Sequence, residues 1–174
     1  MTRRQLSGRV LLGPVAIFLE WLGARRGGGS GITTGALPDR VAKDPAALVE
    51  RFIEEYSRWN AAAMQRHSFS SIHLTPEEKA NLDLSVKEHH DLVARYCRPG
   101  FSPRQCSWGV PSLHAPGSEV IAAVEQQGDS CLVRTRTTDG RPLRGFEYRM
   151  SRADGRWFLE SIRGMVGDNS YENL

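Results

Sequence analysis

The chain has 174 residues, 40% of them hydrophobic and 25% charged, with a formal net charge of +3. That is one domain's worth of globular composition, long enough to bury a core, and it excludes wholly disordered and collagen-like chains. Residues 1–43 hold seven Lys/Arg against two Asp/Glu, whereas residues 44–174 hold sixteen against eighteen, so the basic character belongs to an N-terminal arm.

A nucleic-acid partner requires a basic patch on the folded domain itself, and these totals supply none, so no nucleic acid is expected. No apolar stretch reaches the roughly 18 residues of a membrane-spanning helix, so no membrane span is expected either. Three cysteines, Cys97, Cys106 and Cys131, are too few and odd in number for a disulfide framework. They point to a reducing compartment, the cytoplasm.

In the arm, Arg3, Arg4 and Arg9 precede an apolar run over 10–22, followed by Arg25, Arg26 and the glycine-rich string 27–31. A basic start, an apolar middle and small residues after it are the parts of a secretory signal. Pro14 and Glu20 interrupt the run, however, and Arg25-Arg26 stand where a small-residue cleavage site should be. A signal, a weak amphipathic helix and a start placed too far upstream are the three readings. The string 27–31 reads as a flexible linker and not as a phosphate cradle, because the Lys-Ser/Thr that ends a P-loop is missing.

The domain is expected from Asp44 to the end of the chain. Asp44 is a helix cap and Pro45 fits the first turn. Leu48, Phe52, Tyr56 and Trp59 then repeat at helical spacing to about Gln65. A second helix opens at Thr75-Pro76-Glu77-Glu78, where Thr75 and Glu78 form a capping box. Leu82, Val86, His89 or His90, Val93 and Tyr96 follow the helical period, and Pro99-Gly100 ends it. Residues 101–118, rich in Pro and Gly, read as a long ordered loop or a loop with a short strand. Four strands follow at 119–126, 130–138, 143–151 and 156–165, joined by short turns that include Asp139-Gly140 and Asp154-Gly155. Connections this short make antiparallel neighbours. The fold class is α+β: N-terminal helices packed on a curved antiparallel sheet, with Phe146, Tyr148 and Met150 on the covered face.

Several residues sharpen this reading. They are Phe52, Tyr56 and Trp59 on the first helix, the crossover Ser107-Trp108-Gly109 with Pro111, Ser112 and His114, Glu147-Tyr148 on a strand, and Gly155-Arg156-Trp157. In this order they resemble the bacterial immunity proteins of nuclear transport factor 2-like fold that accompany polymorphic toxins. The resemblance covers about residues 44–174. It implies a cone of sheet over helices and a cytoplasmic protein that binds and neutralises a cognate toxin domain, with no turnover and no cofactor. It names no particular toxin.

Other proteins of that fold are enzymes with a pocket in the cone, so a small-molecule enzyme or binder that uses the cone interior is the alternative reading. Tyr56, Trp59, His90 and Tyr148 are the candidate pocket residues. His89 and His90 are adjacent, so only one can point inward from a helix. Glu147 alternates with Phe146 and Tyr148, which leaves it on the outer face, and no catalytic set emerges. Cys97 and Cys106 lack the close paired spacing of a zinc site, so no metal is expected. Arg134 and Arg136 share a strand face and, with Arg144, Arg149 and Arg163, suggest a basic strip, which Glu147, Glu160 and Asp154 should neutralise by salt bridges. Trp108 and His114 are either anchors of the crossover or recognition residues. Trp108, His114, Arg134, Arg136 and Glu147 are thus the candidate partner-binding or anchoring residues. A homodimer joined through the open sheet face is a further reading.

Overall fold

The computed structural model describes residues 35–67, 74–101, 103, 106–167 and 169–172. The signal-like run and the string 27–31 lie outside the described residues. A short helix, α1 (Asp39–Ala42), precedes Asp44, and Leu37 and Ala42 are buried in the core. The packed unit therefore takes in residues that the sequence reading assigned to the arm.

Helix α2 (Pro45–Arg66) starts as its cap dictates, with Pro45 in the first turn and Asp44 Oδ1 accepting a hydrogen bond from the Ala46 amide at 2.9 Å. Such a cap is worth about 1 kcal/mol. Leu48, Val49, Phe52, Ile53, Tyr56, Trp59 and Ala63 form its buried face. Helix α3 (Pro76–Tyr96) opens on the capping box. The Glu78 amide donates to Thr75 Oγ1, and the Thr75 amide donates back to the Glu78 carboxylate at 2.7 Å. Its buried line is Ser85, His89, Leu92, Val93 and Tyr96, while Leu82 and Val86 are only half-buried. The inward member of the histidine pair is His89. His90 is half-buried, because successive residues on a helix diverge by about 100°.

Polar pins hold the two helices together. The buried carboxylate of Glu55 lies between Arg51, at 2.8 Å, and Arg95 of α3, at 2.7 Å. Arg66 forks onto Glu88, and the Trp59 indole N–H donates to the Ser85 carbonyl at 2.9 Å. Forked guanidinium–carboxylate pairs add geometric register to the apolar packing.

Five strands follow: β1 (Glu119–Gln127), β2 (Ser130–Thr137), β3 (Leu143–Ala153), β4 (Arg156–Val166) and β5 (Asn169–Glu172). They form one antiparallel sheet in sequential order, which short hairpins require. The last hairpin strand, β5, has no counterpart among the predicted elements. Its four residues are all exposed, so it carries no buried alternation to read. The Asp154-Gly155 turn has positive φ at both residues, 52° and 72°, the geometry that Asp-Gly supplies in a two-residue hairpin.

The inner face of the sheet carries Cys131, Val133 and Thr135 on β2, Phe146, Tyr148 and Met150 on β3, and Trp157, Leu159 and Ile162 on β4. Register places Val133 opposite Tyr148, and Tyr148 opposite Ile162. Leu159 and Ile162 are three apart yet both buried, because the ladder shifts between Arg149 and Met150. A bulge of this kind flips the parity of a strand and bends it. Similar shifts occur in β1 between Ile121 and Ala123 and in β3 between Leu143 and Gly145. The architecture is α+β, with helices packed on an open five-stranded antiparallel sheet.

Candidate functional site

Two features of the sequence reading, the crossover and the inner polar residues, meet in one place. Residues 106–118 form no strand and run across the mouth between α2 and the sheet. Asn60 clamps this segment through both backbone groups of one residue. Its side-chain amide donates to the Gly109 carbonyl at 2.9 Å, and its oxygen accepts from the Gly109 amide at 3.0 Å. One turn earlier on α2, Tyr56 donates to the Ser107 carbonyl at 2.9 Å. From the sheet side, Arg141 donates to the Ser112 carbonyl at 2.9 Å. Such bonds satisfy backbone groups that a strand or helix would otherwise pair.

Trp108 lies between these clamps. Its ring meets Trp59 edge-on at 6.0 Å and stacks on His67 at 4.8 Å, so it anchors the crossover. After Gly109 comes the exposed tip: Val110, 82% exposed, and Pro111, joined by a cis peptide bond. The crossover is thus an apolar tip on a clamped base.

Below it, His114 is 1% exposed and belongs to a buried polar cluster. Its Nδ1 lies 2.8 Å from Glu119 and 2.9 Å from the Tyr148 hydroxyl. Tyr148 donates to the other Glu119 oxygen at 2.7 Å, and Thr135 donates to that same oxygen at 2.7 Å. The Phe146 amide in turn donates to Thr135 Oγ1 at 3.1 Å. Glu119 accepts throughout, which assigns the Nδ1 proton to His114 and the hydroxyl proton to Tyr148. Burial, followed by the Glu119 charge, holds the Tyr148 hydroxyl well above its ordinary pKa, so it stays protonated. Phe52, Tyr56 and Phe146 close round the His114 ring at 5.5, 4.7 and 4.2 Å.

The predicted site residues therefore fall into two groups. Tyr56, Trp59, Trp108, His114 and Tyr148 meet in the interior and at the mouth. Arg134, Arg136 and Glu147 lie on the opposite face of the sheet, where Arg134 reaches Glu147 at 3.0 Å and also bonds Glu125. Arg136 and Arg144 are exposed, and Glu160 pairs with Arg98 at 3.2 Å instead of neutralising the strip. His90 does not enter the interior; His89 does, 4.6 Å from the Trp59 ring.

Glu119, Thr135 and Asn60 are the residues that the sequence reading missed. Glu119 shares parity with Ile121, an apolar residue, but Val120 is equally apolar, so alternation could not choose the face. All three cysteines are free, and among the described residues no group of three or more His, Cys, Asp or Glu is placed to hold a metal. No described helix is long and apolar enough to cross a membrane.

His89 carries a pH dependence. Burial, then the neighbouring charges of His90 and His114, lower its pKa from 6.5 to about 4, and its Nδ1 has no hydrogen-bond partner. The unfolded chain therefore takes up a proton at 6.5 that the folded chain refuses until about 4. The stability due to neutral His89 is complete above pH 6.5 and is lost as pH falls toward 4, up to about 3 kcal/mol. Urea denaturation across pH 4–7 should show this slope, and His89→Phe should flatten it.

Compared with family models, with curated proteins and with solved structures, the chain matches none. The fold and the site define an α+β protein whose helices cover one face of an open antiparallel sheet, with a clamped crossover at the mouth.

Proposed function

We propose that this protein acts by binding another protein, as an immunity protein of nuclear transport factor 2-like fold that neutralises a cognate toxin domain in the cytoplasm. The observation that carries the reading against a cone-pocket enzyme is the use made of the interior polar groups. Tyr56 donates to the Ser107 carbonyl, Tyr148 and Thr135 donate to Glu119, His114 Nδ1 lies on Glu119, and each of the four is less than 9% exposed. An acid–base pocket needs such groups turned toward a substrate.

Binding instead needs a rigid scaffold with an exposed apolar centre and polar surroundings. The crossover offers Val110 and Pro111 on a clamped base, and the outer sheet face offers Arg136, Arg149 and the Arg134–Glu147 pair. These are the proposed contact regions.

The test is growth of a bacterial host that expresses the toxin domain encoded beside this chain, with and without the full-length protein. Relief of killing together with co-purification supports the reading, and killing without relief overturns it. Within this assay Val110→Asp should leave the melting temperature unchanged and weaken the complex about tenfold or more. Trp108→Ala should lower the melting temperature, because it removes the packing on Trp59 and His67.

A further inference from the structure

Among the described residues, strand β1 is an open edge. It is the terminal strand of the sheet, nine residues long, and among the described residues its outer side is met only by the isolated bridge between Pro116 and Glu119. An edge strand presents unpaired N–H and C=O groups, and native edges are usually blunted by brevity, Lys or Pro. The opposite edge is blunted in this way: β5 has four residues, and the stretch of β4 that β5 leaves uncovered is bridged at Leu159 by Cys97. Residues 120–124 of β1 read Val-Ile-Ala-Ala-Val, with no charge and no Pro. The one irregularity is Ala122, which the ladder to β2 skips.

The ground beside this edge is shaped as well. At its start lies a crevice of about 240 Å³ between α2 and β1, lined by Ile53, Val120 and Ile121, with Glu50 and Glu54 on its helix side. Glu50 is exposed and makes no ion pair among the described residues, and Glu54 holds Arg51 at 3.3 Å. At the far end of β1 a groove of about 720 Å³ includes Val124, Gln126 and Met150.

From this edge and its acidic-rimmed crevice we infer a docking strip for an extended segment of a partner protein whose apolar and basic residues share one face, at every second position. The segment adds to the sheet as a sixth strand. Its backbone pairs with the open groups of β1, its apolar side chains enter the crevice, and its Lys or Arg side chains meet Glu50 and Glu54. Main-chain pairing supplies affinity in this mode, and the alternate side chains supply specificity. The strip deepens the proposed binding function by naming the partner's chemistry, but its test does not depend on that function.

The probes are two capped octapeptides, Thr-Lys-Thr-Val-Thr-Lys-Thr-Val and the same with Glu for Lys (the Lys-Val and Glu-Val peptides), titrated into the full-length protein by calorimetry. Amide exchange of residues 120–126 is followed alongside. The Lys-Val peptide should bind and slow exchange along β1, and the Glu-Val peptide should bind about tenfold more weakly or not at all. Ala122→Pro removes an N–H at the position that the ladder to β2 skips, and Glu50→Lys with Glu54→Lys reverses the rim. Each change should weaken Lys-Val binding about tenfold, with the melting temperature retained as the check on folding. Equal binding of both peptides, or affinity unchanged in both variants, overturns the strip. So does a dimer that Ala122→Pro dissolves, since a second copy would then occupy the edge. Peptide binding in a chain that gives no relief from the toxin would sink the immunity reading and leave the strip standing.

Discussion

Gly145→Ala is expected to cost about 3 kcal/mol or more, a large share of the stability of an ordinary domain. Gly145 sits just after a register shift in β3, with φ of 155°. A Cβ built there would lie 2.0 Å from the Thr135 carbonyl oxygen, 2.8 Å from its carbon and 2.9 Å from the Arg136 Cα. All three atoms are backbone of β2, so no side chain can swing away, and relief requires the two central strands to part. The displacement would also reach Thr135, whose hydroxyl holds both Glu119 and the Phe146 amide. Urea denaturation followed by circular dichroism measures the loss. Gly35→Ala is the control, because a Cβ there meets nothing within 4 Å. Equal midpoints for the two variants would show that the strands can separate at no cost.

Glu119→Ala should be comparably damaging, by about 3–5 kcal/mol, for a different reason. Three donors converge on this carboxylate: His114 Nδ1, the Tyr148 hydroxyl and the Thr135 hydroxyl. The side chain is fully buried, so water cannot replace it without opening the space between α2 and the sheet. The mutation leaves buried donors unpaired, which costs more than the net worth of the bonds removed. Tyr148→Phe should cost less, because it removes a donor and leaves the carboxylate with two others. The double variant should fall short of additivity by about 0.5–3 kcal/mol, the signature of residues in one network. Strict additivity would mean that the four groups do not act together.

Local chemistry carried much of the fold. Asp44 and Pro45, then Thr75, Pro76 and Glu78, mark both helix starts, because capping satisfies orphan amides within three residues of sequence. The Asp-Gly turn at 154–155 and the alternation of Phe146, Tyr148 and Met150 mark the meander, because the hairpin turn and the pleat are also local. The partners of each group were decided at longer range. Whether His89 or His90 faces inward depended on how α3 lies against Trp59. Glu119 became the acceptor of a buried cluster because β1 turns the face of Glu119 and Ile121 toward the helices, and with Val120 as apolar as Ile121 the sequence does not choose between the two faces. Asn60 reads as one more polar residue on a helix until Gly109, forty-nine positions on, is folded against it. Sequence alone determined the two long helices, the first four strands, their order and their antiparallel pairing, since these follow from interactions a few residues apart. Tertiary structure alone decided which polar groups are buried together, since that depends on helix orientation and strand register, which are set only when the core closes.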